Sequence, residues 1–178
     1  MSENWFAQFS SSFSEYLQQN HATIVALWND APAWTRVVGE AVASASKATF
    51  GTEVTVARRG DRDGFKCEYL SIDCTVHDGT WGRPILMVEL ENNPRQLEYS
   101  TWKLLCARPN HRLVIGYRRR PLDEVVSSLS QITRLHPEES IHFLLADWDK
   151  PAQTGDQWAT HYAGVVARGE SITKHGLA

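Results

Sequence analysis

The stretch PILMVELENN, residues 84–93, decides how the rest of the chain is interpreted. Its apolar run predicts a β-strand over residues 84–92, yet this run includes Glu89 and Glu91, two residues apart. Side chains alternate between the two faces of a strand, so both carboxylates point the same way. The stretch therefore predicts a pair of acids on one face of a strand that otherwise suits burial.

The segment before this strand predicts its antiparallel partner. Residues 65–78, FKCEYLSIDCTVHD, have the composition of a long strand, and GTWGRP is typical of the turn that joins the two. If the turn is centred near Trp81, the numbers of opposed residues sum to about 162, so Asp73 faces Glu89 across the hairpin. Glu91 lies on that same side, and three carboxylates are predicted to converge on one patch of sheet.

These three carboxylates indicate a metal site, because like charges that face each other across a sheet are destabilising. A divalent cation removes the repulsion, and carboxylate oxygens are the ligands that Mg²⁺ and Mn²⁺ prefer. The alternative is that Glu89 and Glu91 form the solvent face of an exposed antiparallel strand. The metal site also depends on the register, since a slip of one residue moves Asp73 to the other face.

The remaining pattern predicts a mixed sheet with helices on its faces. Helices are predicted over residues 4–19, 33–48, 95–107 and 122–135. Strands are predicted over residues 52–59, 65–78, 84–92, 111–120, 140–149 and 159–168, with a frayed tail from Gly169. Three successive strands favour an antiparallel meander, and the strand–helix–strand unit that follows favours a crossover to a parallel neighbour. The expected class is α/β, with a mixed, α+β-type sheet in a single domain over residues 1–178.

The helix predicted after the second glutamate supplies a candidate cation. Gln96, Tyr99 and Lys103 lie at helical spacing on one face of residues 95–107, apart from the leucine stripe. If that face borders the carboxylates, Lys103 approaches a phosphate or an attacking water. Glu40, in the second predicted helix, could add a further oxygen ligand. The alternatives are that Lys103 pairs with neighbours on a solvated helix face and that Glu40 extends from a core helix into solvent.

Composition limits the function classes. The net charge is −3 over 178 residues, which argues against a general nucleic-acid coat protein. Basic clusters at residues 58–62 and 117–120 can still meet phosphates, or they form a solvated rim. The three cysteines include no CxxC pair, so neither a disulfide framework nor a structural zinc site is indicated. No apolar run reaches about 18 residues and the N-terminus lacks a secretory signal, so a cytoplasmic protein with no membrane contact is expected.

The tryptophans are expected to serve mainly the core. Trp102 and Trp148 are predicted to be buried, with base stacking as the alternative. Trp81, in the turn of the hairpin, is predicted to be exposed near a groove.

The order of these features resembles that of the PD-(D/E)xK nuclease superfamily, which has the restriction-endonuclease-like fold. The resemblance covers residues 33–120, where a helix with Glu40 is followed by a strand with Asp73, a hairpin, VELEN with Glu89, a helix and a strand. Asp73 matches the first acid of the family motif and Glu89 the second. Glu40 matches the acid that the first core helix often supplies. The resemblance implies an αβββαβ core.

One position departs from the family pattern. Glu91 stands where the family has its usual lysine, and the resulting Glu-x-Glu resembles the motif of some restriction enzymes of the superfamily. In other members the lysine has moved to the following helix, where Lys103 lies in this chain. The core is placed within residues 33–148, with a helical extension over residues 1–30.

The resemblance implies a Mg²⁺-dependent endonuclease that hydrolyses phosphodiester bonds of nucleic acid, expected to be DNA, with Mg²⁺ or Mn²⁺ as its cofactor. The residues given roles are the metal ligands Asp73, Glu89, Glu40 and the Leu90 carbonyl, the catalytic Asp73, Glu89, Glu91 and Lys103, and the substrate-orienting Gln96 and Tyr99. A homodimer also follows from the resemblance. The aromatic stripe of residues 4–19 is then a candidate interface, unless it packs on the domain.

Two other function classes stay open. A catalytically inactive binding or scaffold protein on the same fold is favoured by the missing strand lysine and the acidic net charge. A small chaperone-like or secretion-accessory module would instead show an exposed apolar patch in place of an acidic cleft.

Overall fold

The computed structural model describes residues 4–27, 30–58, 72–79, 82–107, 109–147 and 162–175. The helices within these residues are α1 (Trp5–Gln19), α2 (His21–Ala26), α3 (Ala31–Phe50), α4 (Leu97–Cys106) and α5 (Leu122–Thr133). The strands are β1 (Thr55–Arg58), β2 (Cys74–His77), β3 (Pro84–Glu91), β4 (His111–Arg118), β5 (Ser140–Asp147), β6 (Ala163–Arg168) and β7 (Ser171–His175). Among these elements, none of the helices is long and apolar enough to cross a membrane.

These strands form one mixed sheet in which spatial order follows chain order, from β1 to β7. The first three strands are an antiparallel meander. From β3 to β5 neighbouring strands are parallel, with α4 and α5 as the crossovers, and β6 and β7 return antiparallel. The predicted mixed sheet, its meander and its parallel crossover are therefore confirmed. The carboxyl ends of β3, β4 and β5 meet at one edge of the sheet, where open parallel sheets commonly bind ligands.

The hairpin of β2 and β3 has the predicted register. Cys74 pairs with Val88, and the next two pairs follow in step before a β-bulge near His77. Continued one position past the end of β2, this register sets Asp73 beside Glu89. A hydrogen bond of 2.9 Å from the Leu90 N–H to Asp73 Oδ2 fixes the aspartate there.

Helices cover both faces of the sheet. On one face α1 and α3 form a core cluster with the even-numbered residues of β3, such as Val88. Asp30 caps the start of α3, and its side chain accepts a hydrogen bond from the Ala33 N–H at 3.1 Å. On the other face α4 and α5 pack on the odd-numbered residues, such as Met87. Because side chains alternate along a strand, Glu89 shares the face of Met87 and points towards α4.

The aromatic stripe of α1 is part of the core. Phe9, Phe13 and Leu17 are fully buried and belong to the cluster that α1 and α3 build on the sheet. The candidate dimer interface on residues 4–19 is therefore wrong, because these side chains are already covered within the chain. The homodimer itself stays a prediction.

The C-terminal segment differs from the frayed tail that the sequence predicts. Gly169 adopts a positive φ of 54°, a conformation that costs glycine little, and the chain reverses so that Ser171 pairs with Arg168. Residues 171–175 then continue as β7 on the edge of β6. The tight turn, and not apolar content, creates this last strand.

Smaller differences concern the limits of elements. The first strand is shorter than predicted, and α2 is a separate short helix in the predicted extension of residues 1–30. Half of the strand predicted over residues 65–78, residues 65–71, lies outside the described residues, as do Trp81 and Trp148.

Candidate active site

A polar cleft of about 250 Å³ lies at the carboxyl end of β3, between the sheet and α4. It is lined by Thr35, Asp73, Glu89, Leu90, Glu91, Asn92, Gln96, Tyr99, Ser100 and Lys103. The structure thus brings together all but one of the residues to which the sequence assigns a role, from two strands and a helix. The exception is Glu40.

Glu89 is the most deeply buried acid of the cleft, with 4% of its surface exposed. Its Oε2 lies 2.7 Å from the Lys103 ammonium. Its Oε1 is buried and has no hydrogen-bond partner among the described residues. A buried charge with an unpaired oxygen is costly, so this carboxylate is the least satisfied group of the cleft.

The pKa of Glu89 is raised from 4.5 to about 7. Burial raises it most and the negative charge of Asp73 adds to the rise, while the hydrogen bond and charge of Lys103 and a backbone hydrogen bond from Asp73 lower it. Burial and the ion pair with Lys103 therefore shift the pKa of this carboxyl in opposite directions, and the effect of burial is the larger. A cation placed against Oε1 would remove this penalty by stabilising the ionised form.

Asp73 and Glu91 are held more firmly than Glu89. Asp73 is buried and receives the Leu90 N–H described above. Glu91 Oε1 accepts a hydrogen bond from the Asn93 N–H at 2.8 Å, and its Oε2 accepts one from Ser100 Oγ at 2.8 Å. Both oxygens of Glu91 are therefore engaged by the loop and helix that follow β3.

Glu40 lies on the other side of the sheet, on α3. Tyr16 Oη donates to Glu40 Oε2 at 3.3 Å, which ties the acid to α1. The residue by which α3 reaches the cleft is Thr35. The role of Glu40 as a metal ligand stays a prediction.

Sequence reasoning gave no role to three residues of the lining. Helical spacing places Ser100 on the face of Gln96 and Lys103, but no role was assigned to it. Asn92 directly follows the glutamate pair. Thr35 has no local signal, because it reaches the cleft only through the packing of α3 on the sheet.

Basic side chains surround the cleft. Arg36 and Arg58 line a small crevice that shares Asp73 and Leu90 with it. At the same edge of the sheet, Arg118 at the end of β4 forms an ion pair with Asp147. Arg120 pairs with Glu98 of α4 at 2.9 Å. Because Arg118 and Arg120 are offset by these acids, the crevice with Arg36 and Arg58 is the nearer source of positive charge for a polyanion at this edge.

Trp102 departs from its predicted burial. Its side chain is 46% exposed, next to Tyr99, which is 58% exposed. The core positions of α4 are occupied by Leu97, Leu104 and Leu105. Trp102 falls between these on the helix and is directed outward.

The donor atoms of the cleft suit a divalent cation, although they do not form a complete side-chain cage. In the part of the chain that the structure describes, no group of three or more His, Cys, Asp or Glu side chains is arranged to hold a metal ion. The cleft offers two adjacent carboxylates instead, one of them with a buried, unpaired oxygen. Mg²⁺ keeps several waters and often uses only one or two protein carboxylates, so the residues fit such an ion.

Comparison with known proteins gives no family for this chain. No protein-family model, no curated protein and no solved structure matches it. The functional conclusion therefore rests on the fold and on the chemistry of the cleft.

Proposed function

We propose that this protein is a metal-dependent nuclease that hydrolyses phosphodiester bonds of nucleic acid, with DNA as the expected substrate. The observation that supports it best is Glu89, a buried carboxylate with one open oxygen, beside Asp73 and in contact with Lys103. This trio matches the acids and the displaced lysine of the PD-(D/E)xK pattern. The αβββαβ order of α3 to β4, with α3 and α4 on opposite faces, supports the same assignment.

In this proposal Asp73, Glu89 and the backbone carbonyl of Leu90 hold Mg²⁺ or Mn²⁺. The ion supplies Lewis-acid stabilisation of the charge that develops on the phosphate and lowers the pKa of water. The two side chains lie side by side because the hairpin register places them there.

The other residues of the cleft have roles that follow from their charge and contacts. Lys103 is ion-paired with Glu89 but remains partly exposed, so its ammonium can also contact a phosphate in the cleft. Glu91, fixed by Asn93 and Ser100, accepts the proton of the attacking water. Gln96 and Tyr99 lie on the helix side of the cleft and orient the phosphate.

The test is cleavage of plasmid and linear DNA with Mg²⁺ or Mn²⁺ by the wild type, Asp73→Ala and Glu89→Gln. Glu124→Gln, an exposed acid at the start of α5, is the matched control and should cleave as the wild type does. Both cleft variants should lose at least about 10²-fold in cleavage rate while remaining folded by circular dichroism. Cleavage that survives both substitutions would remove this cleft from consideration.

A catalytically inactive binding protein on the same fold is the second candidate. This candidate is favoured because the charged groups of the cleft already have partners within the chain. Lys103 pairs with Glu89, and both oxygens of Glu91 accept hydrogen bonds. That candidate predicts no heat on titration with Mg²⁺, Mn²⁺ or Ca²⁺. It also predicts no cleavage under any of the conditions above.

A further inference from the structure

Two aromatic rings stand exposed at the mouth of the cleft. Tyr99 and Trp102 are neighbours on α4, with ring centroids 6.0 Å apart and planes tilted by 35°. Among the described residues, they make up two of the four large hydrophobic side chains that are exposed. We refer to Tyr99 and Trp102 as the aromatic pair.

Packing does not require the aromatic pair. The buried face of α4 is complete with Leu97, Leu104 and Leu105, which join the core on that side of the sheet. Two large rings in water forgo the stabilisation that burial would give them. Their position next to the polar cleft therefore calls for a partner with flat apolar faces.

The aromatic pair is continuous with the cleft. Tyr99 belongs to the cleft lining, and the Lys103 ammonium lies 6.0 Å from the centre of its ring. Trp102 lies beside Tyr99, just outside the cleft lining. A ligand that spans this region meets a cation first and two aromatic faces next.

Nucleic acid in single-stranded form has this combination of groups. Its phosphates are anionic and regularly spaced, and its bases present open faces that stack on aromatic side chains without regard to sequence. In a duplex those faces are covered by neighbouring base pairs. A protein partner fits less well, because the apolar patch is limited to two rings and is bordered by charge.

We infer that the cleft acts on an unpaired nucleic-acid strand, whose bases stack on Tyr99 and Trp102 while a phosphate lies at Lys103; this inference rests on the proposed nuclease function. The strand runs from the carboxyl end of β3 outward along α4. Single strands, overhangs and junctions with an unpaired arm are the substrates of this class.

The experiment measures binding without metal, so that it is independent of cleavage. Fluorescence anisotropy in EDTA compares a labelled DNA oligonucleotide, the same sequence as a duplex, and its RNA counterpart. The wild type should bind the single strand at least about tenfold more tightly than the duplex. Tyr99→Ala and Trp102→Ala should each weaken single-strand binding roughly tenfold and leave duplex binding unchanged.

Three control variants make the result specific. Tyr99→Phe and Trp102→Phe keep a ring and should retain most of the affinity. Leu135→Ala removes another exposed apolar side chain and should have no effect. Equal binding of single strand and duplex, or affinity that is insensitive to both alanine variants, overturns the inference and leaves the aromatic pair to a protein partner.

The two proposals fail in different ways. Strand binding that depends on the rings, without cleavage in Mg²⁺ or Mn²⁺, would refute the nuclease function and keep the strand site. Cleavage that requires Asp73 and Glu89 but ignores the rings would refute the strand site and keep the nuclease function. The DNA and RNA arms identify which sugar the site accepts.

Discussion

Two buried charges in this protein have opposite surroundings. Arg112 on β4 is 3% exposed, and Glu89 on β3 is 4% exposed. Arg112 donates to the carbonyls of Leu104 and Ala107 at 3.0 Å each and pairs with Glu139 at 2.8 Å. Glu89 has one ion-pair partner, Lys103, and its Oε1 has no hydrogen-bond partner among the described residues.

The contrast separates a structural charge from a functional one. Arg112 satisfies the carbonyls at the end of α4, where a helix lacks internal donors, and so fixes that helix to the sheet. Glu89 contacts α4 through the side chain of Lys103, and burial, which raises its pKa to about 7, destabilises its ionised form. Two equally buried charges therefore differ in role, because a charge with all its partners stabilises the fold and one that lacks partners is available to a ligand.

The largest expected difference between the two residues is in cleavage. Under the proposed function, Glu89→Gln removes a charged ligand and should lower the single-turnover rate by about 10²–10³-fold. Arg112→Met should leave the rate of the folded fraction within about threefold, because its contacts do not reach the cleft. Rates are normalised to the folded fraction from circular dichroism. A rate for Glu89→Gln within tenfold of the wild type would contradict the functional role assigned to Glu89.

Stability should show the reverse order. Arg112→Met removes the side-chain donor of two helix-end carbonyls and the partner of Glu139, and we expect the free energy of unfolding in urea to fall by about 3 kcal/mol. Arg134→Met is the matched control, since its ion pair with Glu170 is exposed on both sides and should contribute less than about 0.5 kcal/mol. If the two variants lose equal stability, Arg112 is not the structural charge described above.

The pH dependence of unfolding sharpens the account of Glu89. Its pKa of about 7 exceeds the ordinary value of 4.5, so the folded state binds this proton more tightly than the unfolded state. Protonation of Glu89 therefore stabilises the folded state fully below about pH 4.5, and this stabilisation is lost as the pH rises through 7. Without metal, the stability of Glu89→Gln relative to the wild type should grow by about 2 kcal/mol from about pH 5.5 to 8.5.

Urea unfolding in EDTA at several pH values measures this slope. Glu124→Gln, which alters an exposed acid, should track the wild type throughout. A difference between Glu89→Gln and the wild type that stays constant with pH would show that burial does not raise this pKa.

The sequence predicted the parts of the site that depend on local periodicity. The alternation of β3 placed Glu89 and Glu91 on one face, and the symmetry of the turn gave the register that sets Asp73 beside Glu89. Helical spacing gave the face on which Gln96 and Lys103 line the cleft. Each of these follows from a short segment, so no knowledge of distant packing was needed.

The parts that failed depend on tertiary context or on a single turn. Trp102 was predicted to be buried because aromatic side chains usually serve the core, yet its position on the helix, between the leucines of the core, directs it outward. The last strand depends on the positive φ of Gly169 and on the edge offered by β6. The approach of Thr35 to the cleft depends on the packing of α3, which local sequence does not encode.

Titration calorimetry of Mg²⁺ and Mn²⁺ into the wild type, Glu89→Gln and Arg112→Met tests the central claim most directly. The proposed site predicts that the wild type and Arg112→Met bind the ion with similar affinity. Glu89→Gln should bind it at least about tenfold more weakly, because the substitution removes one of the two carboxylates that hold the ion. The absence of binding by the wild type, or equal binding by Glu89→Gln, would contradict the claim that the open oxygen of Glu89 is a metal ligand.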